Sequence, residues 1–294
     1  PGREWWRLLR EAMLSGPPAP GASMPSVPSS PFGRLLRRWR SLRGASQLTL
    51  AVEAGTTPRH LSFLETGRSR PSREMVLRLA EALDVPLRER NALLAAAGFA
   101  ARYRATELDA PDMAPLRRVL AFLLRSQEPY PGVLLDRCGR VLDSNESALR
   151  LFASLAGPGA VWQERPLNVL RLSLDPDGVR PYLVNWEEAA HELLARLQRE
   201  AAAGGPDDAL PALLDELLAL PGLPKSWRAP DLDRPPSLVL ALHFKRGDLE
   251  LRLFSTITTV GTPHDVTLEE LRIESFLPAD PASDTLLRSL AGAG

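Results

Sequence analysis

The stretch Ser46–Ser72 reads SQLTLAVEAGTTPRHLSFLETGRSRPS, and its punctuation is local and explicit. Ser46 stands before a short run, Gln47–Ala54, that Gly55 closes. A serine hydroxyl satisfies the free N–H groups of a first turn, and a glycine beyond the last turn takes the positive φ of a helix exit. Thr57 then precedes Pro58, a proline at a first helical position, where its missing N–H costs nothing. The spacing predicts a second helix through Leu61 and Leu64 to Gly67. Two helices crossing through so tight a turn need a small residue where their backbones approach, here Ala51. They also need a turn residue free in φ, Gly55, and apolar residues that seat one helix on the other, Leu61 and Leu64.

The flanking sequence continues the helical pattern. Phe32, Leu35, Leu36, Trp39 and Leu42 recur at helix spacing, with Arg34, Arg37, Arg38, Arg40 and Arg43 between them and Gly44 as the stop. Pro71–Ser72 opens a further helix along Met75, Val76, Leu79, Ala80 and Leu83, and Pro86 precedes a last one closed by Gly98. Five short helices joined by tight turns are expected over residues 32–104. Upstream, residues 5–14 can form a short amphipathic helix, and Ser15–Pro31 is so rich in Pro, Gly and Ser that it reads as a linker, giving an N-terminal segment 1–31. The opening residues lack a signal-peptide layout, so a cytoplasmic chain is expected.

Charge is divided along the chain. Of 294 residues, 36 are Lys or Arg and 36 are Asp or Glu, yet residues 32–104 hold 14 arginines against six acidic residues. Residues 105–294 hold 19 basic against 28 acidic side chains. A basic segment beside an acidic one is the pattern of a polyanion-binding module joined to something else. One cysteine, Cys138, excludes an internal disulfide, and His60, His191, His243 and His264 stand too far apart for a paired-histidine metal motif. No apolar run approaches the roughly 20 residues that span a bilayer, so no membrane role is expected.

With these residues in place, Phe32–Gly98 resembles the λ-repressor/Cro-like helix-turn-helix regulators, often called the XRE type. The resemblance implies double-stranded DNA as a partner and assigns roles by position. Ser46 and Gln47 match positions that meet a phosphate at a helix start. Thr57, Pro58, Arg59 and Phe63 match the major-groove face of the recognition helix, with Arg59 able to hold guanine O6 and N7 together. Thr66, Arg68, Arg70 and Arg73 match positions that grip backbone phosphates, and Arg40 with Glu65 matches a structural ion pair. Pro58 departs from the pattern, since it replaces a polar reader and cannot donate a hydrogen bond. One recognition helix reads few base pairs, so a homodimer over two half-sites is expected.

Residues 105–294 change character. A helix is expected over Leu116–Leu124, strands over Val133–Asp136 and Arg140–Asp143 around a Cys138-Gly139 turn, and helices over Asn145–Leu155, Glu187–Ala203 and Ala209–Leu220. Three strands follow, Leu238–Phe244, Leu249–Val260 and Val266–Phe276, giving an α+β chain whose second half is an antiparallel sheet with helices over one face. The segments PYPGVLLDRCGRVLDSNESALRLF, PLNVLRLSLDPDG and NWEEAAHELLARLQREAA, joined to such a helix-turn-helix, resemble the MmyB-like transcription regulators. That resemblance implies a PAS-like ligand-binding fold over most of residues 105–290.

Apolar residues on the expected inner faces can enclose a small apolar ligand: Val133, Leu135, Phe152, Leu170, Leu172 and Trp186, then Leu194, Leu240 and Phe254. A bound long-chain fatty acid is the expected occupant, its head group meeting Asn168, Arg171 or His191. The other sequence readings are a redox, flavin- or haem-dependent sensor, with Cys138 exposed on its turn, or a module for protein interaction alone. A nucleophile with a neighbouring base is not evident around Asp136, Asp143, Glu146, His243 or His264, so no enzyme activity is expected.

Overall fold

A computed structural model of the chain describes residues 30–157, 161, 166–203, 209–228, 239–261 and 263–292. The expected helix over 5–14, nearly all of the linker, Leu238 and Thr262 lie outside the described residues. The fold is α+β: five N-terminal helices, then a five-stranded antiparallel sheet with helices. The chain divides into two units, one ending at Leu83 and the other beginning at Asp84.

The first unit contains α1 (Pro31–Leu42), α2 (Gln47–Glu53), α3 (Pro58–Thr66) and α4 (Arg73–Ala82). Each start is capped as the sequence dictates. The Ser30, Ser46, Thr57 and Ser72 hydroxyls accept from the N–H groups of Gly33, Thr49, His60 and Met75. Gly55 turns at φ 64° and Gly67 ends α3 at φ 76°. Phe32, Leu36 and Trp39 of α1 are buried, as are Leu50 and Ala51 of α2, Leu61 and Leu64 of α3, and Val76, Leu79 and Ala80 of α4. Full burial of a leucine contributes about 1.5–3 kcal/mol, which is why short helices of poor intrinsic stability hold here.

Helices α1 and α3 approach so closely that a Cβ on Gly33 would stand 2.4 Å from the Glu65 carbonyl oxygen. Backbone cannot retreat as a flexible side chain can. Gly33→Ala is therefore expected to destabilise this unit by roughly 1–3 kcal/mol. Limited proteolysis checks it: cleavage between residues 31 and 83 should accelerate, and an unchanged rate would refute the close approach.

In the second unit, α5 (Leu87–Ala96) is the fifth expected helix. Its contacts join it to α11 (Val266–Glu270). The Leu87 N–H donates to Glu269 Oε2 at 2.7 Å, and Arg88 pairs with Glu270 at 2.7 Å. Asp265 caps α11 through the Thr267 N–H and also accepts from the Thr106 hydroxyl at 2.6 Å. This corrects the expected strand over Val266–Phe276. The Asp265 cap and the anchoring of Glu269 and Glu270 make its first residues helical, and the strand begins at Arg272.

The sheet has the order β2-β1-β5-β4-β3, all antiparallel, from β1 (Gly132–Leu135), β2 (Val141–Ser144), β3 (Leu240–Arg246), β4 (Leu249–Thr259) and β5 (Arg272–Pro278). Its inner face carries Val133, Leu135, Leu242, Phe244, Leu251 and Leu253. These pack with Ala148, Leu151 and Leu155 of α7 (Glu146–Leu155), Leu172 of α8 (Val169–Leu174), Ala189 of α9 (Trp186–Ala203) and Leu287 of α12 (Pro281–Gly292). A second cluster joins α8 and α9 to α10 (Ala209–Leu218) through Leu174, Leu193, Leu197, Leu213 and Leu217. Helices cover both faces, which corrects the one-face expectation: Leu120 and Leu124 of α6 (Ala114–Ser126) pack on the outer residues Leu134 and Ile273. That is why every residue of β1 is buried.

Cys138 is 7% exposed, which corrects the expectation of an exposed thiol on its turn. The turn that carries it is folded beneath α8, where the Asn168 side-chain amide donates to the Cys138 carbonyl at 2.9 Å. Among the described residues no helix is long and apolar enough to cross a membrane, and no group of three or more His, Cys, Asp or Glu could hold a metal ion.

Candidate functional site

The α3 N-terminus presents Thr57, Pro58 and Arg59 to solvent. The Arg59 guanidinium lies 5.4 Å from the centre of the Phe63 ring, one turn further along. This contact limits the arginine's rotamers while leaving its N–H fork open. Beyond the Gly67 cap, Arg68, Arg70 and Arg73 are all exposed. Among the described residues none of these four arginines has a carboxylate partner, in contrast to Arg37, Arg40 and Arg78. Unneutralised guanidinium groups around an exposed helix start are what phosphate contact requires. Thr66 is half-buried and its hydroxyl donates to the Ser62 carbonyl at 2.7 Å.

Behind that surface lies the expected ion pair. Arg40 meets Glu65 with Nε at 2.6 Å and Nη2 at 3.1 Å, and Arg40 Nη1 donates to the Ala45 carbonyl. Arg37 adds a third guanidinium contact at 3.4 Å. Burial alone would raise the Glu65 pKa, but the bonds from Arg40 and Gln47 and the charge of Arg37 outweigh it and hold the carboxyl below its ordinary value. Ser46, expected at a phosphate, is exposed and caps α2. Gln47, expected beside it, turns its amide inward to Glu65 at 2.9 Å. Sequence reasoning named the Arg40–Glu65 pair and did not place Gln47 in it.

The residues expected to bind a ligand fall into two adjoining clusters. Val133, Leu135, Leu172 and the half-buried Phe152 belong to the inner-face core, and Leu170 and Leu194 to the second cluster. Trp186 and Leu240 touch both. Phe254 departs from the expectation: on β4 it alternates with buried Leu253, lies on the outer face and is 37% exposed. The polar residues expected at a head group have partners. Asn168 is 5% exposed, donating to Cys138 and accepting from Leu170 and Arg171 N–H groups. Arg171 pairs with Glu216 at 2.7 Å, and the two help line a cleft of about 600 Å³ with Arg140 and Leu213. His191 packs edge-on to Trp227 with ring centres 5.8 Å apart.

Sequence reasoning missed a polar group within the sheet. Glu274, 3% exposed, accepts from the Ser255 hydroxyl on the inner face. Its neighbour Arg272 makes a two-pronged contact with Glu200 at 2.9 and 3.0 Å. The signal was present in RIESFLP, where Arg272, Glu274 and Phe276 occupy one face by alternation.

The arrangement defines a helix-turn-helix unit followed by a separate sheet-and-helix unit. Residues 31–93 match a helix-turn-helix domain family. Residues 116–290 match the family described as MmyB-like transcription regulator ligand binding domain, and the chain belongs to these MmyB-like regulators. Among curated proteins there is no match. Among solved structures, an RNA-binding Light-Oxygen-Voltage receptor aligns at 10% identity over 99% of this chain and 67% of that chain. Its TM-score of 0.25 is too low to support an assignment.

Proposed function

We propose that this chain is a cytoplasmic, homodimeric, sequence-specific DNA-binding regulator whose second unit is a PAS-like sensor of a small apolar or amphipathic molecule, a long-chain fatty acid being the leading class. The observation that carries the DNA reading is the exposed α3 start, with Arg59 held over Phe63 and Arg68, Arg70 and Arg73 lacking carboxylate partners among the described residues. A helix start entering a major groove places such a fork against base edges, and the flanking cations against phosphates. The sheet order β2-β1-β5-β4-β3, with helices on its inner face, supports the PAS-like reading. Ligand occupancy then changes DNA affinity by a coupling free energy between the two sites.

The test is a binding comparison on duplexes selected by the chain from a random pool. Arg59→Ala is expected to lose roughly 1–3 kcal/mol of discrimination between selected and scrambled duplex. Arg70→Ala should weaken both duplexes alike. Identical behaviour of the two variants would overturn the division between base reader and phosphate contact.

A further inference from the structure

Helix α6 sets Leu120 and Leu124 into the outer face of the sheet, yet its opposite side is not polar. Val119 is 54% and Phe122 63% exposed, three residues apart and so on one side of the helix. On α7, Leu149 is 52% exposed. Between the two helices runs a cleft of about 620 Å³. Ala121, Arg125 and Glu128 line it from α6 and the turn that follows, Asp143 from β2, and Glu146 and Arg150 from α7. Single exposed apolar residues are ordinary, but an apolar ridge beside a cleft marks a contact surface.

The charges of the cleft say what fits it. Glu128 and Arg150 are committed within the chain, Glu128 to the Ser147 N–H and hydroxyl and Arg150 to the Ala291 carbonyl at 3.0 Å. Arg125, Asp143 and Glu146 are exposed and form no ion pair among the described residues, although they line one cleft. A two-fold contact sets a patch against itself, so the patch must carry both signs, and this one does. A patch of mixed sign is also what two copies need where the rest of the unit repels. Residues 105–294 hold 19 basic against 28 acidic side chains. A partner segment of one sign would meet its own sign in the same cleft.

We propose that the surface formed by α6, β2 and the start of α7 is the contact between two copies of this chain. The Phe122 ring of each copy enters the cleft of the other, and the Arg125 guanidinium of each meets Asp143 and Glu146 of the other. The proposal rests on the homodimer reading above and gives it a surface. An aromatic side chain seated in a cleft, with charged groups at the rim, is the composition of a specific protein interface. All three charged groups are exposed in the single chain, so the pairing costs no rearrangement of its core.

Sedimentation equilibrium of the full chain over a concentration series, at near-physiological salt, tests it. Wild type should dimerise at micromolar concentration. Arg125→Glu sets like charges against each other across the two-fold axis and should raise the dimer Kd roughly ten- to a hundred-fold. Phe122→Ser should weaken the dimer to a similar degree. Arg125→Glu combined with Asp143→Arg and Glu146→Arg in one chain restores opposite signs across the axis and should return the Kd close to that of wild type. A variant that is merely misfolded gains nothing from two further substitutions, so this recovery separates contact from damage. If wild type dimerises and Arg125→Glu leaves its Kd unchanged, or if the triple reversal fails to recover, the assignment falls and the homodimer reading stands. A wild type that is monomeric throughout the series overturns both.

Discussion

Replacing Glu65 with alanine is expected to destabilise the helix-turn-helix unit by about 3–5 kcal/mol, because it removes one partner of a buried ion network. The Glu65 side chain is 1% exposed and that of Arg40 17%. Alanine leaves Arg40 beside α3 without its carboxylate, removes the acceptor of Gln47, and brings Arg37 and Arg40 together with nothing between their charges. Whole-domain stabilities run only about 5–15 kcal/mol, so this one change should leave the unit partly unfolded. Amide exchange read by mass spectrometry separates the units. Protection should fall across 31–83 and hold in the sheet, and full protection in the variant would refute the network's role. Glu65→Gln, which keeps the shape and one acceptor, should cost less.

The same network sets an acid limit. Glu65 titrates below its ordinary value of about 4.5 in the folded unit. Its contribution is thus present above that value and is lost as pH falls through the folded pKa. Exchange protection of 31–83 should decline below about pH 4.5, and Glu65→Gln should flatten that decline.

The second large effect concerns DNA. Neutralising Arg68, Arg70 and Arg73 together as glutamine should reduce the slope of log K against log salt by roughly 2–3, each lost phosphate contact contributing about 0.9. Stability should hardly change, since all three side chains are exposed and none is paired with a carboxylate among the described residues. An unaltered slope would show that these arginines do not meet phosphates. Because Arg59 is left in place, the triple variant should still prefer its selected duplex.

What was legible in the sequence was whatever neighbours decide. Ser46, Thr57 and Ser72 cap helices from within a turn of the residues they serve, and Gly55 and Gly67 take positive φ for purely local reasons. The β4 alternation likewise reported the sheet face at Leu251 and Leu253. What escaped depended on partners far along the chain. Glu269 and Glu270 belong to a helix because Thr106 holds its cap, Asp265, and Leu87 and Arg88 hold its last two residues, 159 to 182 positions away. Cys138 sits on a turn that looked exposed until α8 closed over it. Gly33 shows a helix-breaking residue inside a strong helical pattern, which is itself a signal of close approach, but the partner backbone at Glu65 was out of view.

Of the candidate site, the DNA-facing half was readable because the motif fixes which helix start is exposed. The ligand-facing half was not. Apolar residues that fill a core and those that line a slot have the same composition, and only packing separates Leu172 from Ile257. Phe254 marks the limit, one residue out of phase with the face it was expected to share.

Whether the exposed α3 start meets DNA is decided by equilibrium binding of the full chain to duplex across a salt series starting at about 50 mM, where phosphate contacts are strongest. Binding should be tight with a steep negative salt slope, and the preference for the selected duplex should collapse in Arg59→Ala. No binding at the lowest salt, or a preference that Arg59→Ala leaves intact, would contradict it.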